Sequence, residues 1–258
     1  MQLNRRQRGF TLVEMAVAFS IIALLMGSAL VAFAGLIDSR NIEETNRRLN
    51  AAIDGIVGFA VVNRRLPCPA VAGATGTEAP AGGGTCTNSF SGFLPGITIG
   101  YTPVDANGYA IDTWGNPIRY VIATSGSAAM TGCTGTANLP HLTSSANLKA
   151  NGVSCRPGPT DLDVCLSTTG TTGNSCGTAT RVAAQGTIAF IVYSTGKNTN
   201  EAANQGTDEL ENTDNDSVFV TRPAATAVSA STGNFDDLMV YVPIGVLYSK
   251  LIAAGVLP

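Results

Sequence analysis

Charge is scarce in this chain and reactive side chains are scarcer: 13% of its residues are Asp, Glu, Lys or Arg, with one histidine and one tryptophan among 258 residues. A lone histidine, His141 in Leu-Pro-His-Leu-Thr, has no adjacent partner for a Ser/His/Asp or Cys/His arrangement. No Cys-x-x-Cys pair occurs and His141 stands at no ligand spacing from a cysteine, which argues against zinc. No phosphate-binding glycine motif precedes a helix, and the acids gather in one loop rather than in a facing pair suited to glycoside hydrolysis. No enzyme is expected. Proline is absent before Pro67, and between Phe10 and Ile37 the only charge is Glu14.

Those two absences frame what is present at the N-terminus. Arg5, Arg6 and Arg8 precede Gly9-Phe10-Thr11-Leu12-Val13-Glu14, which opens a long apolar run. A carboxylate inside a membrane segment costs about 2.5–3.5 kcal/mol at the bilayer centre on insertion scales, so it needs a partner. Cutting after Gly9 creates an α-amine on Phe10 one helical turn from Glu14. Within one helix that pair is poorly aimed; between staggered helices the amine of one subunit meets Glu14 of the next, and register is set. An ordinary secretory signal cut after Ala32-Phe33-Ala34 competes, but its apolar region runs only about 7–15 residues and would carry no glutamate. The Arg5-Arg6 pair is followed poorly for a twin-arginine signal. A plain anchor fits the roughly 20 apolar residues a bilayer needs yet leaves Glu14 unexplained.

The junction Arg8-Gly9-Phe10-Thr11-Leu12-Val13-Glu14 resembles the prepilin-peptidase site of type IV pilins and type II secretion pseudopilins. The resemblance implies cleavage after Gly9, N-methylation of Phe10 and packing of N-terminal helices into a filament core, roles that transfer to Gly9, Phe10 and Glu14 alone. Implied partners are prepilin peptidase, other pilin or pseudopilin subunits and the inner membrane. Type IV pilins commonly carry a spine proline; its absence here is more like a pseudopilin. Any bend would fall at Gly27, Ser28 or Gly35.

The basic residues should stay cytoplasmic, so the body lies in the periplasm and then in a filament. Removing the three leader arginines takes the side-chain balance from −3 to about −6. An acidic body argues against nucleic acid. The expected organisation is a leader (1–9), an apolar membrane or assembly half-helix (10–37), an amphipathic half-helix (38–66) and an extracytoplasmic body (67–258).

In the amphipathic half, Ile42, Leu49, Ile53, Ile56 and Ala60 recur at helical spacing, with Glu43/Arg47 and Glu44/Arg48 at i,i+4. Pro67 should end the helix. Val71–Phe93 (Glu78 its sole acid or base) and Thr124–Gln185 are poor in large apolar residues and read as loops. They hold or border all six cysteines, Cys68, Cys86, Cys133, Cys155, Cys165 and Cys176, which in an exported chain read as disulfides. Fifteen connectivities are open; nearest-neighbour pairing, beginning with Cys68 to Cys86, is the expectation.

Strands are expected at Ile118–Ala123, Thr187–Ser194, Ser217–Thr221 and Leu238–Val242, in an antiparallel sheet, with a closing helix over Pro243–Ala254. The fold class is therefore α+β, a long N-terminal helix on an antiparallel sheet with disulfide-stapled loops. Asp112-Thr-Trp-Gly-Asn-Pro117 and Tyr193-Ser-Thr-Gly196 with the acid-rich loop after it also resemble major pseudopilins, in which such a loop can hold calcium. Here that loop offers Asp208, Glu211, Asp214 and Asp216 as ligands, with Glu209 and Asn212, and Asp236 and Asp237 arriving from downstream. Six to eight hard oxygens are what calcium requires. It is not an EF-hand, because Ser217 and Pro223 stand where glycine and the bidentate glutamate belong. The competing reading is a solvated acidic loop.

Overall fold

The computed structural model describes residues 11–124, 130–133, 140–225 and 232–257, with backbone alone for 28–34, 130, 131 and 202. It divides into two compact units, 1–43 and 44–258. Helix α1 (Leu12–Asn63) begins in the first and ends in the second. In the first unit its apolar side chains face solvent, Leu12 at 88% and Leu24 at 76% exposure. Among the described residues no helix is long and apolar enough to cross a membrane; the described side chains break off at Gly27 and resume at Gly35, inside the span expected over 10–37.

The second unit is α+β. Leu49, Ile53, Ile56 and Ala60 are buried as their spacing predicts, with Ala52 and Val57 between them. Glu44 pairs with both Arg47 and Arg48, and Arg48 also donates to the carbonyls of Ile111 and Asp112. The helix ends at Asn63, where Arg64 turns to φ +56° ahead of Pro67.

Strands β1 (Arg119–Ile122), β5 (Ile188–Ser194) and β7 (Leu238–Pro243) form an antiparallel sheet in the order β1-β5-β7. All seven residues of β5 are buried, and Ile188 to Tyr193 share one apolar cluster with Leu49, Ile56, Tyr120 and Leu251. Helix α5 (Ile244–Ala253) follows, seated by Leu247, Tyr248 and Leu251 and closed at Gly255, φ +70°; Val246 and Ile252 remain exposed.

One strand departs from expectation. Residues 217–221 form β6 (Val218–Val220), which pairs in parallel with β4 (Asp163–Cys165) instead of joining the antiparallel sheet. The chain between them, including β5, is long enough for the crossover that parallel pairing demands. The Thr124–Gln185 tract is also less loop-like than its composition suggests: besides β4 it holds α3 (Ser145–Asn151), which buries Leu148, and β3 (Arg156–Pro157), paired with β2 (Met130–Thr131). Short helices α2 (Gly96–Ile99) and α4 (Thr207–Glu211) were not expected either. Disulfides join Cys68–Cys86, Cys133–Cys155 and Cys165–Cys176, nearest neighbours throughout.

His141 is a buried core residue, its Nε2 2.9 Å from the Tyr248 hydroxyl. Burial lowers its pKa to about 4, against smaller opposing contributions from the backbone at Asn147 and Gly152. The unfolded chain therefore takes a proton near pH 6.5 that the folded one refuses, and stability should fall as pH drops from 6.5 toward 4. Denaturant titrations of wild type and His141→Gln across that window should converge on acidification.

Candidate functional site

Two regions carry the functional expectations. At the start of α1, Glu14 sits in a local capping box: its carboxylate accepts the Thr11 N–H and the Thr11 hydroxyl, each at 2.9 Å, and its own N–H donates to Thr11 Oγ1 at 3.2 Å. The acid thus has two donors within its own chain, which sequence reasoning missed although Thr11-x-x-Glu14 is the pattern for it. Gly9 and Phe10 lie outside the described residues.

In the body, the two downstream motifs meet. Asp112 Oδ1 accepts the N–H groups of Trp114 and Asn116 at 2.9 and 2.8 Å, while Oδ2 accepts the Ser194 hydroxyl at 2.6 Å. Asn116 Nδ2 donates to the Gly196 carbonyl at 2.6 Å. The turn before β1 is thereby bolted to the end of β5, where the acid-rich loop departs.

That loop splits its acids into three groups. Asp208 does not join Glu211, Asp214 and Asp216. It is fully buried and receives Arg222 Nε at 2.7 Å, the Thr232 hydroxyl at 2.6 Å and the Thr168 N–H at 2.8 Å. Burial pushes its carboxyl up, but these donors outweigh that and hold it below its ordinary value. Already satisfied by a cation and hydroxyls, it is no free ligand.

Glu211, Asp214 and Asp216 do converge, with carboxylate oxygens within 4.8 Å of one another and the group partly open to solvent. Glu211 is raised to about 7, first by burial and then by the charges of Asp214 and Asp216.

The third group is deeper. Glu209 and Asp237 are buried, Asp236 half-buried, and their oxygens again fall within 4.8 Å. Glu209 accepts the N–H groups of Asp236 (2.6 Å) and Gly206 (3.1 Å) and Asn198 Nδ2 (2.9 Å); Asp237 accepts Asn212 Nδ2 at 2.7 Å. Burial, then the Glu209 charge, raises Asp236 to about 6, and burial drives Asp237 well above its usual range. Asn198 Oδ1 and Asp236 Oδ1 are buried without a hydrogen-bond partner. Asn198, two residues past the Tyr193-Ser-Thr-Gly196 motif, was not anticipated. Asn212 is spent on β6, donating to the Val220 carbonyl and accepting its N–H.

Residues 4–30 match the family model described as the prokaryotic N-terminal methylation motif, the signature of type IV pilins and pseudopilins. No curated protein and no solved structure matches the chain.

Proposed function

We propose that this chain is a structural subunit of a type IV filament, of pseudopilin or minor-pilin kind, whose work is assembly and not catalysis. The observation that carries the reading is the methylation motif at 4–30 opening a helix whose first unit exposes an apolar surface with Glu14 its single anion between Phe10 and Ile37. Prepilin peptidase frees Phe10, the apolar half-helix waits in the inner membrane with the body outside the cytoplasm, and the new amine exchanges for Thr11 as partner of Glu14 on a sister subunit. N-terminal sequencing of the exported protein tests this: methyl-Phe10 supports it, and Gly35 as first residue returns the chain to the secreted adhesion or binding proteins.

The inner acidic group fits a structural calcium. Three carboxylates gather there, that of Asp236 with its Oδ1 unpartnered, beside Asn198, whose Nδ2 bonds Glu209 and whose Oδ1 is also unpartnered, and all these oxygens are hard donors. Bound calcium at about a hundred times its Kd would add roughly 2.7 kcal/mol, a rise of about 5–10 °C in Tm for a body of this size. Melts in EDTA and in millimolar calcium should differ by that much; superimposable melts overturn the calcium reading.

A further inference from the structure

The loop Gly84–Phe90 forms one wall of a cleft of about 330 Å³, whose other walls are residues 122–124, Pro140, His141, Thr143 and Asn215. This wall is fastened at several points. The Cys68–Cys86 disulfide ties it to the end of α1; Gly84 exchanges hydrogen bonds with Thr143, N–H to carbonyl at 3.0 Å and hydroxyl to carbonyl at 2.6 Å. Asn88 Oδ1 accepts the Ser91 N–H and hydroxyl, and that same hydroxyl reaches Asn215 Oδ1 at 2.8 Å.

The wall is held, yet much of its polar chemistry is unspent. The hydroxyls of Thr87, Ser89 and Thr124 and the amide nitrogens of Asn88 and Asn215 make no hydrogen bond among the described residues, and Phe90, packed on one side against the core and partly buried, lines the cleft beside them. Among the described residues no Asp, Glu, Lys or Arg lines the cleft. An apolar ligand would strip water from these hydroxyls and amides without replacing its hydrogen bonds, which disfavours it. The lining itself offers an ion no counter-charge, and an anion would in addition approach Asp214 and Asp216, the neighbours of Asn215. What matches is a neutral ligand with many hydroxyls and an apolar face for an aromatic ring, in a cleft at the lower end of small-ligand volumes.

We propose that this cleft binds a neutral saccharide. The fastened loop supplies preorganisation, Asn88, Ser89 and Thr87 supply directional donors and acceptors, and Phe90 supplies the stacking face. Full-length protein in a non-glycosidic detergent, titrated with N-acetylglucosamine and galactose, and with N-acetylneuraminic acid as the charged counterpart, tests it by saturation-transfer NMR. A neutral sugar should saturate the protein with a Kd of roughly millimolar order, and the acidic sugar should bind more weakly. Asn88→Asp keeps the acceptor for Ser91 while removing the amide donor and adding charge, and should weaken binding at least ten-fold. Ser89→Ala removes a hydroxyl with no internal partner and should weaken it several-fold with an unchanged melt. Absence of transfer from every neutral sugar, a preference for the acidic one, or binding undiminished in Ser89→Ala with its melt intact overturns the proposal.

Discussion

Replacing Glu14 with alanine is expected to leave processing intact and to cut filament yield at least ten-fold. Cleavage should proceed because alanine is a good helix former and the junction Gly9-Phe10 is unchanged. Assembly should fail because the Phe10 amine, once inside an apolar bundle, would have no anion to meet, and a lone buried charge is costlier than the pair. Thr11 adds a graded control. It supplies the capping box in the isolated helix, so Thr11→Val removes one of the two donors to Glu14 and should cost the helix start about 1 kcal/mol while retaining the intersubunit pair. Mass spectrometry of the mature N-terminus together with sheared-filament yield reads both effects. Wild-type yield from Glu14→Ala would defeat the electrostatic account of assembly.

The second large effect lies in the body. Arg65 and Glu78 form a buried bidentate pair, Nη1 to Oε2 at 2.7 Å and Nη2 to Oε1 at 2.6 Å, with Cys68 and Gly82 donating their N–H groups to the same carboxylate. Arg65→Met leaves Glu78 buried without its cation and should cost about 3–5 kcal/mol, whereas the double change with Glu78→Met should recover much of that loss. In the wild type, burial raises the Glu78 pKa but Arg65 and the Cys68 N–H more than offset it, so the net shift is downward. The pair's contribution is therefore complete above the ordinary carboxylate pKa and is lost as pH falls through the lowered one. In Arg65→Met the sign reverses, because an uncompensated buried acid prefers its proton, and the deficit should shrink on acidification. Denaturant unfolding at neutral and mildly acidic pH checks both points. A loss below 1 kcal/mol in the single variant would mean that water reaches Glu78.

These residues also show how far the sequence could be read. Leu49, Ile53, Ile56 and Ala60 announced a helical face because burial on a helix repeats every third and fourth residue, and 3.6-residue periodicity survives whatever the partner surface is. Val218–Val220 announced a strand through β-branched and aromatic residues, but not its neighbour: strand propensity is local, and pairing with β4 depends on a segment whose serines, threonines and glycines hid it. Glu78 stood out as a solitary acid, yet nothing along the chain marked Arg65, thirteen residues before it, as its partner. Asp208 looked like one more loop acid until Arg222 and Thr168, distant in sequence, arrived around it.

By itself the sequence determined the N-terminal methylation motif, the isolation of Glu14, the run of α1 and the location of the main strands, because these rest on charge count, apolar length and periodicity along a single stretch of chain. Only the tertiary structure decided which cysteines pair, that Asp208 is satisfied while Glu209, Asp236 and Asp237 converge, and that the Gly84–Phe90 loop walls a neutral cleft. Carboxylates with the same composition acquire opposite fates from what folds against them. A hydrogen-bond partner or counter-charge acts over a few ångströms of space and carries no mark of its distance along the chain.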